Sequence, residues 1–283
     1  MKKAIQIAYN DLFEYKCECA AKAGFDCIAV NYTEVLGKNE SEWQAITQNI
    51  ARILDKTGLS CHQTHPHYYN LFISSEILEE DMEFNIRQSI ISGSALGAKY
   101  HVIHPRTSTT ATSYGSRTSL KDNLRWIGGL LDCAVKHGSK IAVENIPIFP
   151  RSGKLFYFYS ANVEDHMELV DTFDDKNLVA CWDFGHANLS ESDQARSIEM
   201  MGSRIKCTHV HNNFGYGDRH LPPDCGDIAW DKVMGAMNRI GYDGALTLET
   251  HCAFEDKDFL LSFAKHNYAS LVYLEKLMRG EDK

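Results

Sequence analysis

The side chains able to do chemistry in this chain stand where short apolar runs stop. V-A-C-W-D-F-G-H carries Asp183 and His186 to the end of one run, and I-K-C-T-H-V-H-N-N carries His209 and His211 to the end of the next. Other runs deliver His65 and His67, His104, Glu144, and Glu249 with His251, while the loop after T-H-V-H adds Asp218 and His220. A lone His or carboxylate at a strand end is more often a hydrogen-bonded structural residue or a helix cap. Several carboxylates on one rim are different, because burying them together is costly unless a cation neutralises them. Mixed imidazole and carboxylate ligands suit a divalent transition metal, Zn2+ or Mn2+ before Co2+ or Fe2+, better than Ca2+ or Mg2+.

Such a rim needs strands that end side by side. The apolar runs are Ile5 to Ala8, Cys27 to Tyr32, Leu59 to Thr64, Tyr100 to His104, Lys140 to Ile146, Leu178 to Trp182, Ile205 to Val210 and Ala245 to Glu249. Between and after them, helical spacing marks Asp11 to Ala23, Ser41 to Lys56 with Ser41 as N-cap, and Glu76 to Leu96. It continues at Ser119 to His137, Asn162 to Phe173, Asp193 to Met201, Trp230 to Ile240 and Asp258 to Met278. Strand and helix patterns alternating over the whole chain predict one domain, 1–283, folded as a closed (β/α)8 TIM barrel, whose active sites lie at the carboxyl ends of the strands. A doubly wound open sheet would need a Gly-rich phosphate turn after the first strand, and A-Y-N-D-L-F has no glycine there. In T-H-V-H the two histidines share a face of the strand; His211, nearer the rim, is expected to be the ligand and His209 to line the interior beneath it.

Composition narrows the function classes. A net charge of −9 over 283 residues weighs against a nucleic-acid or anionic-membrane surface. Near the expected rim the basic residues are Arg106, Arg117, Arg151, Lys154 and Arg219. Nine cysteines without a C-x-x-C pair read as reduced thiols of a cytoplasmic protein, and no run approaches the roughly 18 apolar residues of a membrane span. No G-x-S-x-G elbow or Gly-rich phosphate cradle is present. Tyr68, Tyr69, Phe149, Phe156, Tyr157, Phe158 and Trp182 are expected either to cover the rim or to wall a sugar-sized pocket.

The motifs E-N in I-A-V-E-N-I-P, D-F-G-H, H-V-H-N-N, G-D-R-H and the final L-E-T resemble the xylose-isomerase-like barrel superfamily, which joins sugar and sugar-phosphate isomerases and epimerases to apurinic (AP) endonucleases of the endonuclease IV type. By that resemblance the single metal of a ketose epimerase falls on Glu144, Asp183, His211 and Glu249, and His186 contacts substrate. The endonuclease branch holds three zinc ions, and its motifs add His67, His104, His186, Asp218 and His220 as further ligands, so one to three ions are implied. His65, Arg219 and Trp182 join His186 as expected substrate-facing residues.

The reading that follows is a metal-dependent isomerase or epimerase working through an enediolate. The metal stabilises developing charge, and Glu144 and Glu249, arriving from different strands, act as base and acid. The alternatives are a polynuclear zinc hydrolase of the AP endonuclease type, a related metal-dependent dehydratase, and a barrel without activity. A carbohydrate substrate is expected, with no nucleic acid and no membrane; self-association into a homo-oligomer is compatible with the chain.

Overall fold

The computed structural model describes residues 1–67, 69, 71, 79–110, 113–114, 116–151, 154–190 and 193–281. Eight parallel strands form the barrel: β1 Lys3–Ala8, β2 Cys27–Asn31, β3 Ser60–His65, β4 Tyr100–Ile103, β5 Lys140–Glu144, β6 Leu178–Asp183, β7 Ile205–His209 and β8 Leu246–Leu248. They pair in chain order from β1 to β7, and β8 pairs with β1. The seam between β7 and β8 is closed by a bridge from Val210 to Leu248, with the Val210 N–H donating to the Thr247 carbonyl at 2.7 Å. This is the (β/α)8 barrel that the alternating pattern predicts. Every residue of β2 and of β6 is buried, as expected of strands covered on both faces.

The outer helices are α1 Phe13–Ala23, α2 Glu40–Thr57, α3 Glu79–Ala95, α4 Ser116–Lys136, α5 Val163–Phe173, α6 Gln194–Met201, α7 Trp230–Arg239 and α8 Lys257–Arg279. The N-cap of α2 is Asn39 rather than Ser41. Asn39 Oδ1 accepts from the Glu42 N–H, and Glu42 returns a bond to the Asn39 N–H, a capping box that leaves Ser41 to bond the Asn39 side chain. Asn162 and Asp193 are N-caps where the helical patterns were expected to begin. Gly24 ends α1 in the left-handed region at φ 106°, which a side chain would strain.

Three short elements escape periodicity. Two are hairpins, Thr109–Thr110 with Ser113–Tyr114 and Phe149–Arg151 with Lys154–Phe156, each too short to show an alternation. The third is a helix, Phe184–Ser190, that starts directly at the end of β6. It carries the D-F-G-H histidine on its first turn. Among the described residues no helix is long and apolar enough to cross a membrane.

One ion pair ties the first strand to the last helix. Lys3 Nζ lies 2.6 Å from Glu275 Oε2, and both side chains are largely buried. Burial alone would raise the Glu275 carboxyl, but the bonds and charges of Lys3 and the N-terminal amine together outweigh it and hold the group at about 2 against an ordinary 4.5. A depressed carboxyl contributes stability that is present above the ordinary value and lost as pH falls through the folded one. Glu275→Gln is therefore expected to lower the unfolding free energy by about 2 kcal/mol at neutral pH. Urea titrations of the two proteins should converge as the pH drops from about 4.5 towards 2; a difference that persists unchanged in acid would contradict this account.

Candidate metal centre

Four barrel strands deliver one compact group. Glu144 ends β5, Asp183 ends β6, His209 ends β7, and Glu249 follows β8. One ligand atom from each lies within 4.8 Å of the others, and all four residues are buried. His209 Nδ1 sits among the carboxylates, 2.9 Å from Glu144 Oε1, 2.9 Å from Glu249 Oε2 and 3.7 Å from Asp183 Oδ2. Parallel strands in register make this convergence: Cys181 pairs with Glu144 and Asp183 with His209, so neighbouring strands stop at one level.

Two further groups flank it. On the β3–β4 side, His65 and His104 approach Glu144: the two Nε2 atoms are 3.2 Å apart, and His104 Nε2 is 3.1 Å from Glu144 Oε2. On the β7 side, His186, His211, Asp218 and His220 converge, with Asp218 Oδ2 3.4 Å from His186 Nε2 and 3.0 Å from His220 Nε2. His211 Nε2 lies 3.0 Å from Asp183 Oδ1 and so links this group to the central one. Glu144 belongs to both the central group and the β3–β4 group.

Neighbouring groups fix these side chains in place. The Asn145 amide bonds both the N–H and the carbonyl of Asp183, locking β6 to the end of β5. Asp183 Oδ1 accepts from the His186 N–H at 2.6 Å, which caps the short helix and aims its histidine inward. Gln6 Nε2 donates to Glu249 Oε1 at 2.6 Å, and Tyr69 donates to the His104 carbonyl. The His211 ring lies against Gly185, where a Cβ would stand 1.9 Å from Cε1. Only a glycine permits that approach.

The charges show how the buried carboxylates are balanced. Burial alone would raise the Glu144 carboxyl, yet His209 and His104 hold it well below the usual range. Burial also opposes charge on His209, His220 and His186, but the carboxylates beside them lift all three, His220 to about 9. His65, dominated by burial with His104 beside it, is pushed down to about 4 and stays neutral. The acids are thus ionised and balanced by protons on imidazoles. A divalent ion offers the same balance through the donor set that transition metals favour. His209 Nδ1 and His211 Nε2 are aimed at the carboxylates, while the opposite ring nitrogens, Nε2 and Nδ1, are buried without a hydrogen-bond partner. The residues fit a metal.

Sequence expectation and placement differ at several positions. His65, expected to face substrate, stands in a ligand-like group with His104, whereas His67, expected as a ligand, turns away and bonds the Thr33 carbonyl. Both histidines of T-H-V-H reach Asp183, and His209, expected beneath the site, completes the central group. Trp182, expected at the pocket wall, is 1% exposed and packs outward, its Nε1 bonding Gln194 and its ring stacking on His166. Alternation explains this: Asp183 faces the axis, so Trp182 faces the helices. Arg219 is exposed on the β7 loop. Of the expected rim aromatics, Phe158 is buried, Tyr157 is exposed, and Tyr68 lies outside the described residues. Gln6 was not anticipated, since a lone glutamine in a short strand carries no motif.

Two outcomes are expected. Because His186, His209 and His220 carry protons without metal, adding Zn2+ or Mn2+ to chelator-treated protein at pH 7 should release protons, read by calorimetry in buffers of different ionisation enthalpy. Heat independent of the buffer would contradict the charge balance described. Gly185→Ala should displace His211 and lower the metal content measured by mass spectrometry, with the circular dichroism spectrum unchanged; full metal content in that variant would show that His211 is not needed for retention.

Comparisons with known proteins agree with this architecture. The chain is 31% identical to the uncharacterized protein MJ1311 of Methanocaldococcus jannaschii over 166 residues, 58% of this chain and 55% of that one. The chain spans about half the length of the curated relatives it matches. Among solved structures it resembles a D-tagatose 3-epimerase-like protein at TM-score 0.73 and 20% identity, covering 100% of both chains. It also resembles a D-allulose 3-epimerase from Methylomonas sp. at TM-score 0.75 and 16% identity, covering 98% of both. At those identities the likeness is one of fold. The sequence profile described as xylose isomerase-like TIM barrel matches residues 17–261, most of the chain. The chain belongs to the xylose isomerase-like TIM barrel family.

Proposed function

We propose that this protein is a divalent-metal-dependent sugar isomerase or epimerase that moves a proton at a carbon next to a carbonyl. The observation that carries the reading is the pair of buried glutamates, Glu144 and Glu249, arriving from β5 and β8 and both reaching His209 Nδ1 at 2.9 Å. Two carboxylates entering one site from different strands can serve opposite faces of a small substrate, one as base and the other as acid. Glu144, Asp183 and Glu249 with His209 or His211 would hold the metal, which supplies Lewis acidity towards the substrate's carbonyl and adjacent hydroxyl oxygens. Zn2+ or Mn2+ suits this donor set.

The rest of the step belongs to the chain. Glu249 Oε1 is held by Gln6, which sets the orientation of the carboxylate that takes or returns the proton. Glu144 Oε2 is held by His104. His186 fixes its Nδ1 on the Asn145 carbonyl at 2.8 Å and presents Nε2 beside Asp218, where it can bond a substrate oxygen. The fold neighbours named as sugar epimerases support a carbohydrate substrate.

A polynuclear metallohydrolase is the second reading. It is favoured by the two flanking ligand groups, which one ion does not require. The net charge of −9 counts against a DNA substrate.

Glu144→Gln and Glu249→Gln are each expected to reduce solvent-deuterium incorporation into a ketose by at least about 10²-fold with the fold intact, as loss of a general acid or base does. Wild-type exchange in either variant would sink the mechanism. Metal analysis should find one ion per chain for proton transfer to stand alone. Three ions together with cleavage of an abasic duplex would replace it with the hydrolase.

A further inference from the structure

Two cavities at the rim differ in size. The one among His104, Glu144, His186, Asp218, His220 and Glu249 is about 90 Å³. The other, about 410 Å³, begins at Glu249 and runs across the ends of β1 and β2 towards α1 and α8. Only the second reaches the several hundred Å³ typical of a small-molecule site. The metal-side space therefore takes the reacting carbons, and the remainder of a sugar has to lie in the larger cavity.

That cavity is opened by small residues. Gln6 and Ala8 of β1 and Asn31 of β2 share its lining with Cys19 and Ala264, and Ala8 pairs with Asn31 in the β1–β2 register. Each amide is half used. Gln6 gives its Nε2 to Glu249 while its Oε1 is buried without a partner. Asn31 Oδ1 accepts from the Thr33 N–H and hydroxyl, leaving Nδ2 to donate elsewhere. An acceptor beside a donor is the set that a hydroxyl group satisfies, since a hydroxyl both donates and accepts.

The same lining disfavours a phosphate. Its charged side chains among the described residues are Lys16 against Glu34 and Glu249, with no arginine to form a bidentate clamp. Of the helix starts nearby, that of α8 is already capped, with Asp256 Oδ1 accepting from the Phe259 N–H, and the first turn of α1 carries the acidic Glu14.

We propose that the cavity between β1, β2 and β8 binds the unreacting, uncharged hydroxylated part of the substrate, with Gln6 and Asn31 as its hydroxyl contacts, so that the enzyme acts on a neutral sugar or glycoside and not on a sugar phosphate. This rests on the isomerase or epimerase reading for its chemistry, but the binding claim stands apart from turnover. Ala8, which touches no group of the metal centre, is the position at which to fill the space.

The test has two arms, both on the metal-loaded full chain. Saturation-transfer NMR with methyl β-D-glucoside, which has no carbonyl and cannot react, is expected to give ligand signals with wild type. Those signals should vanish in Ala8→Leu while metal content is unchanged. No signal with wild type, or equal signal in Ala8→Leu, overturns the cavity's assignment whether or not the protein turns over any sugar. Asn31→Ala serves as a second variant if Ala8→Leu fails to fold, with the same loss expected. In the second arm, deuterium exchange into D-fructose should exceed that into D-fructose 6-phosphate by about tenfold or more in kcat/KM, and Ala8→Leu should raise KM for fructose by about tenfold. Equal or better use of the phosphate overturns the substrate class. Exchange into neither sugar, with the glucoside still bound, leaves the cavity's role standing and overturns the proton-transfer reading instead.

Discussion

Three carboxylates buried at one point are the constraint on which the rest of this structure depends. Glu144, Asp183 and Glu249 are each less than about a twentieth exposed, and a buried anion without a partner costs several kcal/mol. No packing arrangement removes that cost; only positive charge does. The histidines supply it as protons, and a divalent metal would supply it more compactly. The surrounding features read as consequences. His209 lies between the glutamates, His211 presses against a glycine to reach Asp183, and Asn145 clamps the strand that carries it.

The barrel is what makes such a concentration achievable. Parallel strands held in register end at one level, so side chains from β5 to β8 meet although they lie up to 105 residues apart between Glu144 and Glu249. Alternation assigns each neighbour to the opposite layer. Asp183 enters the site while Trp182 enters the helix layer, and Gln6 turns inward while Ile5 and Ile7 join the outer core. The same rule leaves Ala8 in the cavity lining beside Gln6. The candidate metal centre and the space beside it are thus two results of one strand geometry.

The charge pattern also separates roles within the rim. His65 stays neutral under burial, which suits a ligand or a hydrogen-bond partner of Glu144, while His209, His186 and His220 carry charge until a metal replaces it. On the proposed reading, the central group is enough for proton transfer between two glutamates. The flanking groups make the metal count the quantity that divides transfer at carbon from hydrolysis at phosphorus.

The sequence by itself determined the barrel and the identity of the rim. Apolar runs of strand length alternate with helical spacing, and almost every run from the third onward ends in His, Asp or Glu, so Glu144, Asp183, Glu249, His104 and His186, with Asp218 and His220 from the loop after the seventh, were all legible as a set. Local patterning suffices there because strand period and helix period are properties of neighbouring residues. What only the tertiary structure decided is which members of that set meet. His65 rather than His67 stands with His104, both histidines of T-H-V-H reach Asp183, and Trp182 leaves the pocket. Gln6 acquired a role only through a partner 243 residues away. Contacts of that kind depend on strand register and the level at which each strand stops, and those are set by the closing of the whole barrel rather than by any stretch of the chain.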